Sequence, residues 1–139
     1  MRGIKGKNTK PEHRIRKLLH RAGYRYRLHA KELPGRPDLV FRQRRALIFV
    51  HGCFWHGHDD CHLFRLPKSR TDFWADKIGA NIERDMLQLA KLHDTRWRTA
   101  IVWECALRGR HRIEDAEILD RLSLFLDDPE RIAIEIRGA

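Results

Sequence analysis

The chain has 139 residues and carries 29 Lys and Arg against 19 Asp and Glu, a formal charge of +10 and a pI near 10.2. That length makes a single domain, 1–139, and a 42% hydrophobic fraction is enough to build a core, so a disordered tail is excluded. The longest apolar run, Ala46 to Val50, is far short of the ~20 residues that cross a bilayer, and no apolar leader follows Met1, so membrane and secretory classes fall away and a reducing cytoplasm is expected.

The first helix begins at Thr9, whose hydroxyl can cap it while Glu12 reaches back, and Pro11 suits the opening turn. Ile15, Leu18, Leu19 and Ala22 give the apolar stripe, and Gly23 ends the helix. Tyr24 to His29 alternates aromatic and basic residues as an edge strand would. Pro34, Gly35 and Pro37 then form a rigid turn that delivers Asp38 to the head of a short strand, Leu39 to Phe41. A polar turn, Gln43 to Arg45, folds the chain back into a buried strand, Ala46 to Val50. From Thr71 to about Asp94, Trp74, Ile78, Ile82, Met86 and Leu89 recur every three or four positions, which predicts a long amphipathic helix. A strand over Arg98 to Glu104, a helix over Ile113 to Leu126 and a last strand over Ile132 to Ile136 complete an α/β fold in which helices flank a mixed sheet.

Charge of this sign and size points to a polyanion, because each Lys or Arg laid against a phosphate releases condensed counterions. Nucleic acid is the expected partner. Three cysteines leave one thiol over in any disulfide scheme, so metal binding is their better use. Cys53, His58, Cys61 and Cys105 make a Cys3His set suited to tetrahedral Zn²⁺, and with four protein ligands the ion would be structural. His51, His56 and His62 compete for the nitrogen position, and spacing favours His58.

Asp38, after Pro37, can hold a hard cation such as Mg²⁺ beside a phosphate, or can be an ordinary turn residue. Many nucleases carry an acid and a lysine on the next strand, where this chain has Val50 and His51. The Val50 carbonyl can replace the missing oxygen ligand and His51 the lysine. Asp85 lies at the edge of the long helix's apolar face, where burying it bare is costly, so it needs either a histidine, His56 or His51, or an arginine. Glu12 is explained equally by its capping box and by chemistry. Phe54 and Trp55 form either a local mini-core or wedges that enter a base stack, which costs least at a mismatched step.

The strings Leu33-Pro34-Gly35-Arg36-Pro37-Asp38, Ile48 through Cys53-Phe54-Trp55-His56, Asn81 through Asp85, and Ile101 through Gly109 together resemble the very short patch repair endonucleases, and Met1 to Lys10 is similar to that family's amino-terminal segment. The resemblance implies a restriction-endonuclease-like fold with a structural zinc. It also implies Mg²⁺-dependent nicking of duplex DNA 5′ to the thymine of a T:G mismatch left by deamination of 5-methylcytosine. On it, Asp38 and the Val50 carbonyl hold Mg²⁺; His51, His56, Asp85 and Glu12 are further active-site residues, with His56 the acid/base group and Asp85 its support. Cys53, His58, Cys61 and Cys105 hold zinc, and Phe54 and Trp55 open the duplex. Met1 and Arg2, in a DNA-contacting arm over residues 1–10, reach toward the minor groove. Residues 113–139 are a helix and tail without nameable chemistry. A monomer suffices for one asymmetric mismatch, partners extend to other mismatch-repair and nick-processing proteins, and a nucleoid-associated bacterial setting is implied. Two rival readings are a zinc-stabilised DNA-binding module without catalysis and a mismatch-independent nuclease of the same fold.

Overall fold

The computed structural model describes residues 9–139 of the chain, so the expectations for Met1 and Arg2 and for most of the amino-terminal arm lie outside the described residues. Helix α1 spans Lys10–Arg21, with the Glu12 amide donating to Thr9 Oγ1 at 3.4 Å and Pro11 in the first turn. Then come strands β1 (Arg27–Leu28), β2 (Leu39–Phe41) and β3 (Ala46–His51), helix α2 (Thr71–Asp94), strand β4 (Arg98–Trp103), a single helical turn α3 (Glu104–Leu107), helix α4 (Asp115–Asp127) and strand β5 (Ala133–Ile136). The strands form one sheet in the order β1-β2-β3-β4-β5, antiparallel from β1 to β3 and parallel from β3 to β5.

Helices cover both faces, which is why β3 and β4 read as nearly unbroken apolar runs rather than alternating ones. On one face Ile15 and Leu19 of α1 and Ile118, Leu122 and Phe125 of α4 pack on Ile48, Ala100, Val102 and Ile136. On the other, Leu92 of α2 packs with Leu47, Phe49, Ile101 and Trp103. Both β3 and the β4 strand parallel to it end at the same edge, at His51 and Trp103. Outside the carboxyl ends of parallel strands is where α/β sheets generally place their ligands. No helix among the described residues is long and apolar enough to cross a membrane.

Three expectations change. The first edge strand shrinks to two residues, since its partner among the described residues is the three-residue β2. Glu104 leaves the strand expected to contain it and opens α3. The apolar stripe of α2 is also not the one its three-and-four spacing suggests, for Met86 is 65% exposed and Ile82 is exposed too, whereas Ile78 and Leu92 are buried. Steps of four advance ~40° beyond a full turn, so Met86 rotates off the face, while residues seven apart drift back only ~20°. Ile78, Asp85 and Leu92 therefore share one line, which turns Asp85 inward. The last strand is found where it was expected: β5 completes the sheet, and after it the Gly138 amide donates to Cys105 Sγ at 3.2 Å.

A buried arginine closes the far end of α4. Arg98 donates through Nη1 to the carbonyls of Phe125 (2.6 Å), Asp128 (3.1 Å) and Arg131 (3.2 Å), and through Nη2 to those of Arg44 (3.0 Å) and Leu126 (3.3 Å). Methionine would fill the space and orphan these carbonyls. Arg98→Met is expected to cost ~3–5 kcal/mol, read by urea denaturation. A loss below ~1 kcal/mol would mean that water replaces the guanidinium there.

Candidate active site and metal centre

Three groups of side chains gather around the carboxyl edge of the sheet. The first is acidic. Glu12 (2% exposed) and Asp38 (8% exposed) are both buried, and their carboxylates lie with a nitrogen of His29 so that all three donor atoms are within 4.8 Å of one another. Glu12 Oε2 is 2.9 Å from Arg16 Nη2 and 3.0 Å from His29 Nε2, so its carboxylate faces a cluster and its capping role does not exhaust it. Asp38 Oδ2 accepts the Val50 amide N–H at 2.7 Å. Burial pushes the Asp38 carboxyl up to about 8, and the neighbouring Glu12 adds to this against the pull of the Val50 amide and Arg16. Two buried acids side by side want a proton or a cation between them.

The second group starts one residue after Val50. His51 is buried and its ring stacks on His56 at 3.7 Å between centroids, the planes 1° apart. His56 Nδ1 lies 2.6 Å from Asp85 Oδ2, so the partner that Asp85 needed is this histidine. That bond fixes the His56 tautomer and leaves Nε2 as the nitrogen that can accept a proton. Burial, reinforced by His56 and His58, holds His51 well below the usual imidazole range, so it stays neutral beneath its neighbour. Donor atoms of His51, His56 and Asp85 also lie within 4.8 Å of one another, but parallel stacked rings hold their lone pairs in separate planes, a poor arrangement for two ligands of one ion.

Beside the histidines, Phe54 and Trp55 sit half-buried, edge-on to each other at 5.2 Å, and both meet Trp74 of α2, at 5.6 and 5.7 Å. The chain passes under α2 at Gly57, where φ is +56° and an added Cβ would stand 2.6 Å from Ile82 Cδ1. Only glycine fits this crossing. Trp74 was expected merely as part of a helical stripe, and its place in the aromatic group comes from this loop packing.

The third group is Cys53, His58, Cys61 and Cys105, whose donor atoms also lie within 4.8 Å of one another. His58 Nδ1 is 3.5 Å from Cys53 Sγ and 3.6 Å from Cys105 Sγ. A tetrahedron with Zn–S near ~2.3 Å and Zn–N near ~2.05 Å has an S···N edge of ~3.6 Å, so this donor set suits such an ion. The imidazole stacks on Trp103 at 3.8 Å, and the amide of Gly138 donates to the Cys105 sulfur. As bare thiols, Cys53 and Cys105 are pushed up by burial, and burial lowers His58 to about 4. Of the competing histidines, His58 is the one among the sulfurs. The other nitrogen of its ring, Nε2, is buried without a hydrogen-bond partner among the described residues.

Sequence reasoning named every member of these groups except His29 and Trp74. His29 follows β1, has φ +49°, and gives its amide N–H to the Asp38 carbonyl at 3.2 Å. Its only local signal was a place in a basic-aromatic alternation.

Paired carboxylates and an oriented imidazole at one sheet edge, on a chain of charge +10, are the equipment of a nuclease. A family model described as DNA mismatch endonuclease Vsr matches residues 1–63. The chain is 55% identical over 114 residues to the type II nicking enzyme V.XorIIP of Xanthomonas oryzae pv. oryzae, covering 82% of this chain and 83% of that one. It is 48% identical over 126 residues to the DNA mismatch endonuclease Vsr of Escherichia coli, covering 91% and 80% respectively. A type II nicking enzyme of Neisseria meningitidis, V.NmeAIP, is 43% identical over 107 residues, 77% of this chain and 76% of the other. The chain belongs to the DNA mismatch endonuclease Vsr family and is a DNA-nicking hydrolase.

Proposed function

We propose that this endonuclease cuts one strand of duplex DNA 5′ to the thymine of a T:G mismatch, in a Mg²⁺-dependent reaction that starts very short patch repair. The observation that carries the reading is the His56–Asp85 pair stacked on His51, the residue next along β3 from the Val50 amide that holds Asp38. A proton acceptor and a buried acid pair are then placed by the same strand end. The family supports the mismatch as target. The aromatic group supports it physically, since Phe54 and Trp55, backed by Trp74, present flat apolar faces that could enter a weakened base step. The fold is read as restriction-endonuclease-like, with residues 9–139 as one endonuclease domain.

Asp38, with the Val50 carbonyl beside it, would hold Mg²⁺, which supplies charge to polarise the scissile phosphate and the leaving oxygen. The protein's own part is proton transfer and placement. His56 Nε2 takes the proton of an attacking water, and Asp85 holds the ring in the tautomer that can do so and steadies the imidazolium. Neutral His51 supports the ring from below without competing for charge. Zinc held by Cys53, His58, Cys61 and Cys105 would have no open position and would brace the loop that carries His56, Phe54 and Trp55. One mismatch needs one such site, so a monomer acts.

Nicking of a labelled T:G duplex, compared with T:A at equal salt and with Mg²⁺ added, tests the reading. Equal rates on both would overturn the mismatch dependence. Asp85→Asn should keep the fold and lower single-turnover nicking ~10²–10³-fold, because the amide presents a donor that favours the wrong tautomer. A variant that nicks at the parent rate would remove His56 from the proton's path.

A further inference from the structure

We propose that His29 is, with Glu12, a protein ligand of the divalent ion at Asp38, and that its nitrogen biases this centre toward Mn²⁺ over Mg²⁺. The inference rests on the reading that Asp38 holds the ion. Its ground is the juxtaposition of three donors from three separate elements: Glu12 from α1, His29 from the end of β1 and Asp38 from the head of β2.

The sheet places His29. Leu28 pairs with Leu39 in the antiparallel ladder, so the next step of the register sets His29 opposite Asp38, and their backbones are joined by the 3.2 Å hydrogen bond. Glu12 Oε2 and His29 Nε2 are 3.0 Å apart. That is the edge of an octahedron whose metal–ligand bonds are ~2.1 Å, and the 4.8 Å limit on the whole set asks only small side-chain adjustments.

The present contacts of His29 Nε2 make opposite demands on one nitrogen. Arg16 Nη2, 3.3 Å away, can only donate to it, which needs the lone pair, whereas the Glu12 carboxylate can only accept from it, which needs a proton there. A cation bonded to the lone pair and to both carboxylates satisfies the nitrogen and the acids together. It would also take the place of the proton that two neighbouring buried acids otherwise need.

Two carboxylates and water are a magnesium set, and adding an imidazole shifts it. Affinity of mixed nitrogen and oxygen sites rises along the first-row divalent metals, and Mg²⁺ gains little from nitrogen. The consequence is a centre that Mg²⁺ can use and Mn²⁺ fills more tightly.

The test uses the full zinc-loaded chain with manganese chloride alone as probe and no DNA. Pulsed electron paramagnetic resonance of bound Mn²⁺ should show modulation from a directly bonded imidazole nitrogen. His29→Asn, which tolerates the left-handed backbone but is too short to reach, should lose the modulation and weaken Mn²⁺ binding ~10-fold. Mg²⁺ binding should weaken less. His29→Gln, of a length that can still offer an oxygen, should lose the modulation while keeping more of the affinity. A parent without nitrogen modulation, or modulation that survives in both variants, would overturn the assignment. Asp38→Asn separates the two readings. If it binds Mn²⁺ like the parent, the ion is not at Asp38 and both fail. If it loses Mn²⁺ while the His29 variants behave as the parent, only the role of His29 fails.

Discussion

Asp38→Asn is expected to abolish nicking, by at least ~10³-fold, and at the same time to make the metal-free protein more stable. The two effects have one cause. Asp38 is buried against Glu12, and its ionised form is disfavoured so strongly that the carboxyl titrates only at about 8. At neutral pH the empty pocket must therefore hold a proton that the unfolded chain, with a carboxyl near ~3.9, has already released. The native state thus binds more protons than the unfolded one between about pH 4 and 8, so stability falls as pH rises through that window. Asparagine is nearly the same shape, accepts the Val50 amide N–H through its oxygen and offers its NH₂ toward Glu12 without a charge to bury. A gain of ~1–3 kcal/mol is expected at pH 8, or roughly 5–10 °C in melting temperature, shrinking to nothing near pH 4. Nicking is lost because the amide has no charge with which to hold the proposed Mg²⁺, and several kcal/mol of electrostatic stabilisation would vanish with the ion. Thermal scans from pH 4 to 8 without added Mg²⁺ and a single-turnover assay give the two readouts. A variant that is inactive and also less stable at pH 8 would mean that the carboxylate is held there by structure rather than stored for a ligand.

This split between function and stability is visible in the sequence only in part, and the reason lies in which interactions are local. The cap at Thr9, the bend before Asp38, the buried β3 and the extent of α2 are each set by residues a few positions apart, and each was legible. The Cys3His cluster was equally plain, because Cys53, His58 and Cys61 share one loop. His29 was not legible, for its meaning comes from standing across a ladder from Asp38, and nothing in its own neighbourhood differs from an exposed edge strand. Glu12 hid behind a valid local explanation, since a residue can occupy the third position of a helix and still turn its carboxylate elsewhere. The inward line of buried Ile78, half-buried Asp85 and buried Leu92 was obscured by a louder pattern of apolar residues four apart, and packing on β4 chooses between the two. The tail's link to Cys105 could not be read at all, because it joins positions 33 apart through a backbone amide that carries no side-chain signal.

With zinc held as proposed, Cys105→Ser should release it and lower the melting temperature by more than ~10 °C, although this thiol lies on a different element from the other three residues of the cluster. From residue 52 to residue 70 the chain forms neither helix nor strand, so little of it is held by its own backbone ladder. Cys53, His58 and Cys61 tie this segment to Cys105 on α3, and α3 is joined to the tail through Gly138. Serine is a far weaker zinc ligand than a thiolate, and a site with three good ligands loses much of the ~10–16 kcal/mol that such ions can contribute. Both apolar cores remain, so the sheet should stay folded while the segment loosens. His56, Phe54 and Trp55 are on that segment, and nicking should therefore fall together with stability even though the proposed zinc would touch no reacting atom. Chelation of the parent should reproduce the variant, and returning zinc should restore the parent but not the variant. Because burial keeps the free thiols protonated, uptake must expel protons, so zinc should also leave as the pH is lowered. Metal analysis and calorimetry on the same samples decide the matter: a variant with one zinc per chain and an unchanged melting temperature would leave the segment braced by packing alone.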